Sequence, residues 1–161
     1  HALKNTIPLF IMYLPVIWLA ASVWGYALSK LEDTGLIGKA TPQPLITLLE
    51  CGGDPRALGL LALFAVVLVP VVEELIFRGC LYRFLKSQSS ILPAQIISGA
   101  IFSLIHANLF SFLPLVIVGI LLARVYEKSG SILTPICFHA LFNGFNLIML
   151  FLKTISQVDI Q

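Results

Sequence analysis

The stretch V71-V72-E73-E74-L75-I76-F77-R78-G79-C80 sets two adjacent carboxylates and a guanidinium inside a long apolar run. A charged side chain at the centre of a bilayer costs roughly 2.5 to 3.5 kcal/mol on insertion scales. Three of them within one short stretch therefore call for a return that packing alone does not give. The apolar run decides the fold. The chain around it has 161 residues, 58% hydrophobic and 11% charged, with a mean hydropathy of +0.98. Soluble domains carry about 25% charged residues, so the sequence reads as an integral membrane protein whose first partner is the lipid bilayer.

Five segments are apolar enough for a hydrocarbon layer of about 30 Å, which takes roughly 20 helical residues. They are Ile7 to Ser29, Ala57 to Leu85, Ile91 to Phe110, Phe112 to Tyr126 and Ile132 to Leu152. Backbone groups in lipid must be satisfied within the segment, and no short alternating pattern suggests a barrel. The expected fold is an all-α polytopic transmembrane bundle of about five segments with a four-helix core. Its expected organisation is an N-terminal helix and extramembrane connection over 1–56, the core domain over 57–153 and a tail over 154–161. The connection from Lys30 to Arg56 holds seven of the eighteen charges together with Pro42, Pro44, Gly52, Gly53 and Pro55; a short helix is expected within it at Leu45 to Glu50. Short links at Lys86 to Ser90 and Glu127 to Gly130 make successive helices antiparallel neighbours.

Several classes fall away. A net charge of +2 with scattered Lys and Arg is no nucleic-acid surface. Cys51, Cys80 and Cys137 lack CxxC spacing and read as small buried hydrophobes rather than a disulfide or zinc framework. The first apolar run, about 23 residues, exceeds the usual 7 to 15 of a signal peptide. The chain opens with His1 rather than Met and is expected to be a piece of something longer. The distribution of Lys and Arg among the short loops favours a cytoplasmic N-terminus.

The polar residues of the apolar segments can meet. Pro70 loosens the ladder just before the carboxylates. Glu74 and Arg78 stand at i and i+4 in the favourable order for an ion pair, while adjacent Glu73 points about 100° away. Apart from His1, the only histidines are His106 and His139, both in apolar segments. The midpoint between the glutamates and His106 falls in the turn at Lys86 to Ser90, so an antiparallel hairpin brings them to one depth. His139, with Asn143 at i+4 on the same face, reaches that depth from the last helix. The expected geometry is a polar pocket with carboxylates and imidazoles about 4 to 8 Å apart, at direct or water-bridged hydrogen-bond range, with Glu73 facing His106 and Glu74 turned toward Arg78. Singly, a histidine or Asn143 in such a segment is most often interhelical glue, Phe102 is packing, and the Glu-Glu-Arg cluster could be a structural ion pair beside one protonated acid. Coincident depth for all of them favours a site.

These residues carry a resemblance. E73-E74-L75-I76-F77-R78 resembles the EExxxR motif, F102-S103-L104-I105-H106 the FxxxH motif and H139-A140-L141-F142-N143 the HxxxN form of the third motif of the CPBP family. This family comprises intramembrane proteases related to the CAAX prenyl endopeptidase and to bacteriocin-immunity proteins. The resemblance implies that Glu73 activates the hydrolytic water, that His106, His139 and Asn143 complete the site and stabilise the oxyanion, and that Glu74 and Arg78 support it. The chemistry is compatible: a carboxylate held out of water is a stronger base than one in water, and neutral His and Asn donors suit an oxyanion hole. There is no HExxH, yet Glu73, His106 and His139 with an open position are a set that could hold Zn²⁺. The resulting expectation is a membrane-embedded endopeptidase, in a bacterial cytoplasmic membrane, acting on a membrane-associated peptide or protein. Its rivals are a non-catalytic binding, immunity or scaffold protein on the same fold, and an ion-coupled carrier, which the small helix count without inverted repeats disfavours.

Overall fold

The computed structural model describes residues 2–39 and 54–158. The expected short helix at Leu45 to Glu50, and Cys51, lie outside the described residues. Within them there are five helices and no strands: α1 (Ala2–Asp33), α2 (a continuous rod over 55–88), α3 (Ile91–Leu104), α4 (Phe112–Ser129) and α5 (Leu133–Val158). The all-α reading holds.

Helix α2 carries the charged stretch and is not a uniform α-helix. It starts on Asp54, whose side chain accepts the Arg56 N–H at 3.1 Å, with Pro55 in the first turn, where a missing N–H costs nothing. The ladder is α-helical over Pro55–Leu63, widens to π over Phe64–Leu68, returns to α over Val69–Glu74, widens again over Leu75–Tyr82 and closes as α over Arg83–Gln88. Pro70 explains the first widening. It offers no N–H to the turn below, and the freed carbonyls shift to i+5 partners, as when Phe64 O receives the Val69 N–H. In the same register Ala65 O would fall to Pro70, which has nothing to donate. The donor comes instead from α5: Asn143 Nδ2 reaches Ala65 O at 2.8 Å.

The helix runs to Gln88, so the expected turn narrows to Ser89 and Ser90 before α3 begins. Tyr82 of α2 packs with Ala94 of α3 and Ala123 of α4. Two glycines allow α3 and α4 to approach backbone to backbone: a Cβ on Gly119 would lie 2.7 Å from Gly99 Cα, and one on Gly99 would lie 2.8 Å from Val116 O. This is the small-residue packing by which membrane helices associate. Helix α1 closes the other side through Phe10 and Ile17, which join Val118, Leu122 and Phe138 in one apolar cluster, with the Phe10 and Phe138 rings edge to face at 5.6 Å.

The surface is inverted relative to a soluble protein. Ile11, Leu19, Leu63, Phe64, Leu75 and Phe151 are exposed, whereas Glu74, Arg78, Gln95, Ser98 and His139 are buried. Lipid rewards that arrangement, since outward apolar side chains cost nothing there and polar ones must find partners inside. Among the described residues three helical stretches are long and apolar enough by themselves to cross a membrane, Thr6–Asp33, Arg56–Gln88 and Leu133–Lys153, and Ile91–Leu104 is a shorter apolar helix. The segment expected over Ile91 to Phe110 ends as a helix at Leu104 after 14 residues, and Ala107 just beyond it is in the left-handed region at φ 47°. Helix α4 carries Arg124, Glu127 and Lys128 in its last two turns.

Candidate active site

Glu74 is the centre of the buried polar cluster. It is 0% exposed, and its Oε1 accepts from Arg78 Nη1 at 2.7 Å and lies 2.9 Å from His139 Nδ1. Arg78, also 0% exposed, donates from Nη2 to the Gly119 carbonyl at 2.8 Å. A buried guanidinium needs partners on all its edges; α2 supplies the carboxylate, and α4 a backbone oxygen that the Gly99–Gly119 contact brings within reach.

Glu73, one position earlier, faces a different way and is less buried, with 19% of its side chain exposed. Its Oε2 stands 3.7 Å from His139 Nε2, too long for a direct hydrogen bond, and has no hydrogen-bond partner in the protein. Both ring nitrogens of His139 therefore face carboxylates. The Arg78-paired Glu74 can only accept when ionised, which puts the His139 proton on Nδ1 in the neutral ring and leaves Nε2 unprotonated toward Glu73. A gap of this size between a carboxylate oxygen and an unprotonated nitrogen suits a bridging water, which can donate to both.

The remaining expected residues sit around this core. The imidazole that Glu73 meets is that of His139. His106 turns its Nδ1 to the Phe102 carbonyl at 2.8 Å; since a carbonyl only accepts, that nitrogen carries the proton and Nε2 keeps its lone pair. The Phe102 ring lies between the two histidines, with centroids 4.9 Å from His106 and 5.6 Å from His139, and the Arg78 guanidinium stacks over it at 5.0 Å. Asn143 spends an amide N–H on Ala65 O, so part of its capacity repairs the helix that presents the glutamates.

Among the described residues no three His, Cys, Asp or Glu side chains are grouped so as to hold a metal ion. Glu73 Oε2 and His139 Nε2 stand 3.7 Å apart, and His106 does not join them in such a group. Beside Glu73 lies an apolar cleft of about 340 Å³ lined by Phe64, Leu68, Val69, Val72 and Glu73 itself. All five lie on one face of α2, and Glu73 is their polar member. A second cleft, about 440 Å³, lies at the far end of α2 between Arg83, Lys86, Tyr126 and Glu127.

Sequence reasoning did not reach Gly119, whose contribution is a backbone oxygen that no residue type advertises. Nor did it reach Trp24 of α1, which donates from Nε1 to Leu109 O at 2.8 Å in the segment that follows His106; a tryptophan in an apolar helix reads as an interface anchor.

The chain is an all-α bundle suited to a membrane, with paired glutamates, one shared with an arginine and both facing a histidine. Residues 55–145 match the family described as type II CAAX prenyl endopeptidase Rce1-like, and the chain belongs to that family. The matched range covers α2, α3, α4 and the first half of α5, and so all the residues just described except Trp24. A curated relative, "Putative membrane peptidase YdiL" of Bacillus subtilis (strain 168), is 31% identical over 94 residues, which is 58% of this chain and 38% of the relative. The chain thus spans well under half the length of that protein. No solved structure matches it.

Proposed function

We propose that this protein is a multi-pass intramembrane endopeptidase in which Glu73, acting as general base, activates a water to attack a peptide bond of a membrane-associated protein or peptide. The observation that carries the reading is the pair of inequivalent carboxylates on His139. Glu74 is neutralised by Arg78 and holds the ring in one tautomer; Glu73 is unpartnered and 3.7 Å from the other nitrogen. A water between them loses a proton to Glu73 as its oxygen attacks the carbonyl carbon, and the proton then passes to the leaving amine. His139 orients that water, while His106 and the second N–H of Asn143 are the donors nearest in chemistry to an oxyanion hole; His106 fills that role through Nε2 only once that nitrogen is protonated. Their hydrogen bonds to backbone in the free protein leave room for tightening when substrate binds. The apolar cleft beside Glu73 suits the hydrophobic residues or lipid-facing chain of a substrate arriving from the bilayer. Family membership and a bacterial relative described as a membrane peptidase support the reading, and a bacterial cytoplasmic membrane is the setting it fits.

The engagement of His106 and Asn143 by carbonyl oxygens is also what a non-catalytic binding or scaffold protein of this fold would have. Cleavage decides between them. Membranes of cells carrying the wild-type protein or Glu73→Gln are compared by terminal-peptide mass spectrometry, and purified protein is then tested on the peptides that differ. New termini with the wild type alone are expected; identical termini in both would reject the protease.

A further inference from the structure

Among the described residues two buried polar atoms outside the two glutamates have no hydrogen-bond partner, Arg78 Nε and Ser98 Oγ, and the register of α2 against α3 puts their residues at one level. Tyr82 on α2 packs against Ala94 on α3, next to the buried Gln95. In an antiparallel pair, one turn back along α2 is one turn forward along α3, which makes Arg78 level with Ser98. The α4 contact agrees: Arg78 Nη2 bonds the carbonyl of Gly119, and Gly119 rests on Gly99, the neighbour of Ser98. Both residues are 0% exposed. Glu74 Oε2, the far oxygen of the carboxylate that Arg78 holds, is another buried polar atom without a partner.

Buried polar groups are rarely left unpaired, and where two to four of them converge an ordered water serves as their common partner. We propose that Arg78 Nε–H and Ser98 Oγ bind a structural water, and that Ser98 is a positioning residue for the hydrolysis. The water accepts from Nε–H and donates to Ser98 Oγ. That bridge fixes the plane of the guanidinium, whose Nη1 keeps Glu74 on His139 Nδ1. Ser98 thus acts on the reacting water through Arg78, Glu74 and His139 without touching it. The same site continues outward as a polar file through Gln95 and Tyr82 to Glu127, which accepts from the Tyr82 hydroxyl at 3.0 Å.

The kinetic arm rests on the protease reading; the structural arm does not. A structure of the full chain in lipid nanodiscs, at a resolution that shows waters, should have density bridging Ser98 Oγ and Arg78 Nε, and Ser98→Ala should lose it. Absence of that density in the wild type overturns the proposal whether or not the protein cleaves anything. In a cleavage assay Ser98→Ala should lower kcat by roughly three- to tenfold at unchanged KM, the scale of a small misplacement of catalytic groups, with Ser98→Cys, a weaker hydrogen-bonding group of similar shape, in between. If the core at Ser98 is dry, removing an unpaired hydroxyl instead raises Tm and leaves kcat alone, and that pair of results sinks the idea.

Discussion

Two of the carboxylate–cation–ring clusters among the described residues differ in almost everything but composition. Glu74, Arg78 and His139 lie in the middle of the bundle with the acid and the arginine fully buried. Glu127, Lys86 and Tyr82 lie at the end of α2, where Glu127 accepts from both Lys86 and Tyr82 and the lysine side chain is 41% exposed. Water can replace either partner of the outer pair, so its formation gains little. In the inner one nothing replaces a lost partner, so every member depends on every other. Inner charges are costly to keep and costlier to separate, which is why a cluster of this kind inside a membrane protein points to function, while the outer one points only to a helix end.

The largest separation between the two should come from Glu74→Ala. It strands a fully buried guanidinium, for which a loss of about 3 to 5 kcal/mol is expected, read as a lower Tm in detergent together with lost cleavage. Glu73→Gln should be its mirror image, with cleavage reduced by about 10² to 10⁴ as expected for removal of a general base and Tm close to the wild type. Equal stability losses for the two glutamates would erase the distinction between them. On the same protein, cleavage should survive chelation, and elemental analysis should find no metal at one equivalent, since the two histidines and Glu73 do not gather into a ligand set; activity that vanishes with EDTA and returns with zinc would reverse that.

Smaller effects probe the supports. Asn143→Ala leaves Ala65 O, next to Pro70, without its donor, and the unpaired carbonyl should cost about 1 to 3 kcal/mol. Asn143→Asp also removes the amide donor and should not rescue stability. The smallest effect belongs to the outer pair, where Lys86→Met should cost no more than about 1 kcal/mol. The Lys86 hydrogen bond, more than its partly offsetting desolvation, holds the Glu127 carboxyl below its ordinary value of 4.5. A lowered carboxylate value means that the stabilisation is present above the ordinary value and disappears as pH falls through the lowered one. Thermal melts of wild type and Lys86→Met from pH 7 to pH 3 should therefore converge at the acid end; curves that stay parallel would show that Lys86 acts by packing alone.

Much of this was legible in the sequence for a definable reason. Membrane residence and helical class follow from hydropathy, which each residue contributes independently of where the others lie, and from the rule that backbone groups in lipid must pair within their own segment. The Glu74–Arg78 pair follows from a four-residue spacing inside one helix, because such neighbours face each other wherever the helix is placed. The end of the third helix at Leu104 was not legible, since composition over Ile91 to Phe110 does not reveal the left-handed turn at Ala107. What only the tertiary structure decided is which groups meet across helices. That both glutamates share His139, that Arg78 ends on the Gly119 carbonyl, and that Asn143 repairs Ala65 all depend on how each helix is rotated about its axis. The two π stretches of α2 change that rotation, since each turn that takes in an extra residue swings everything beyond it by about 100° from where an even 3.6-residue repeat would put it.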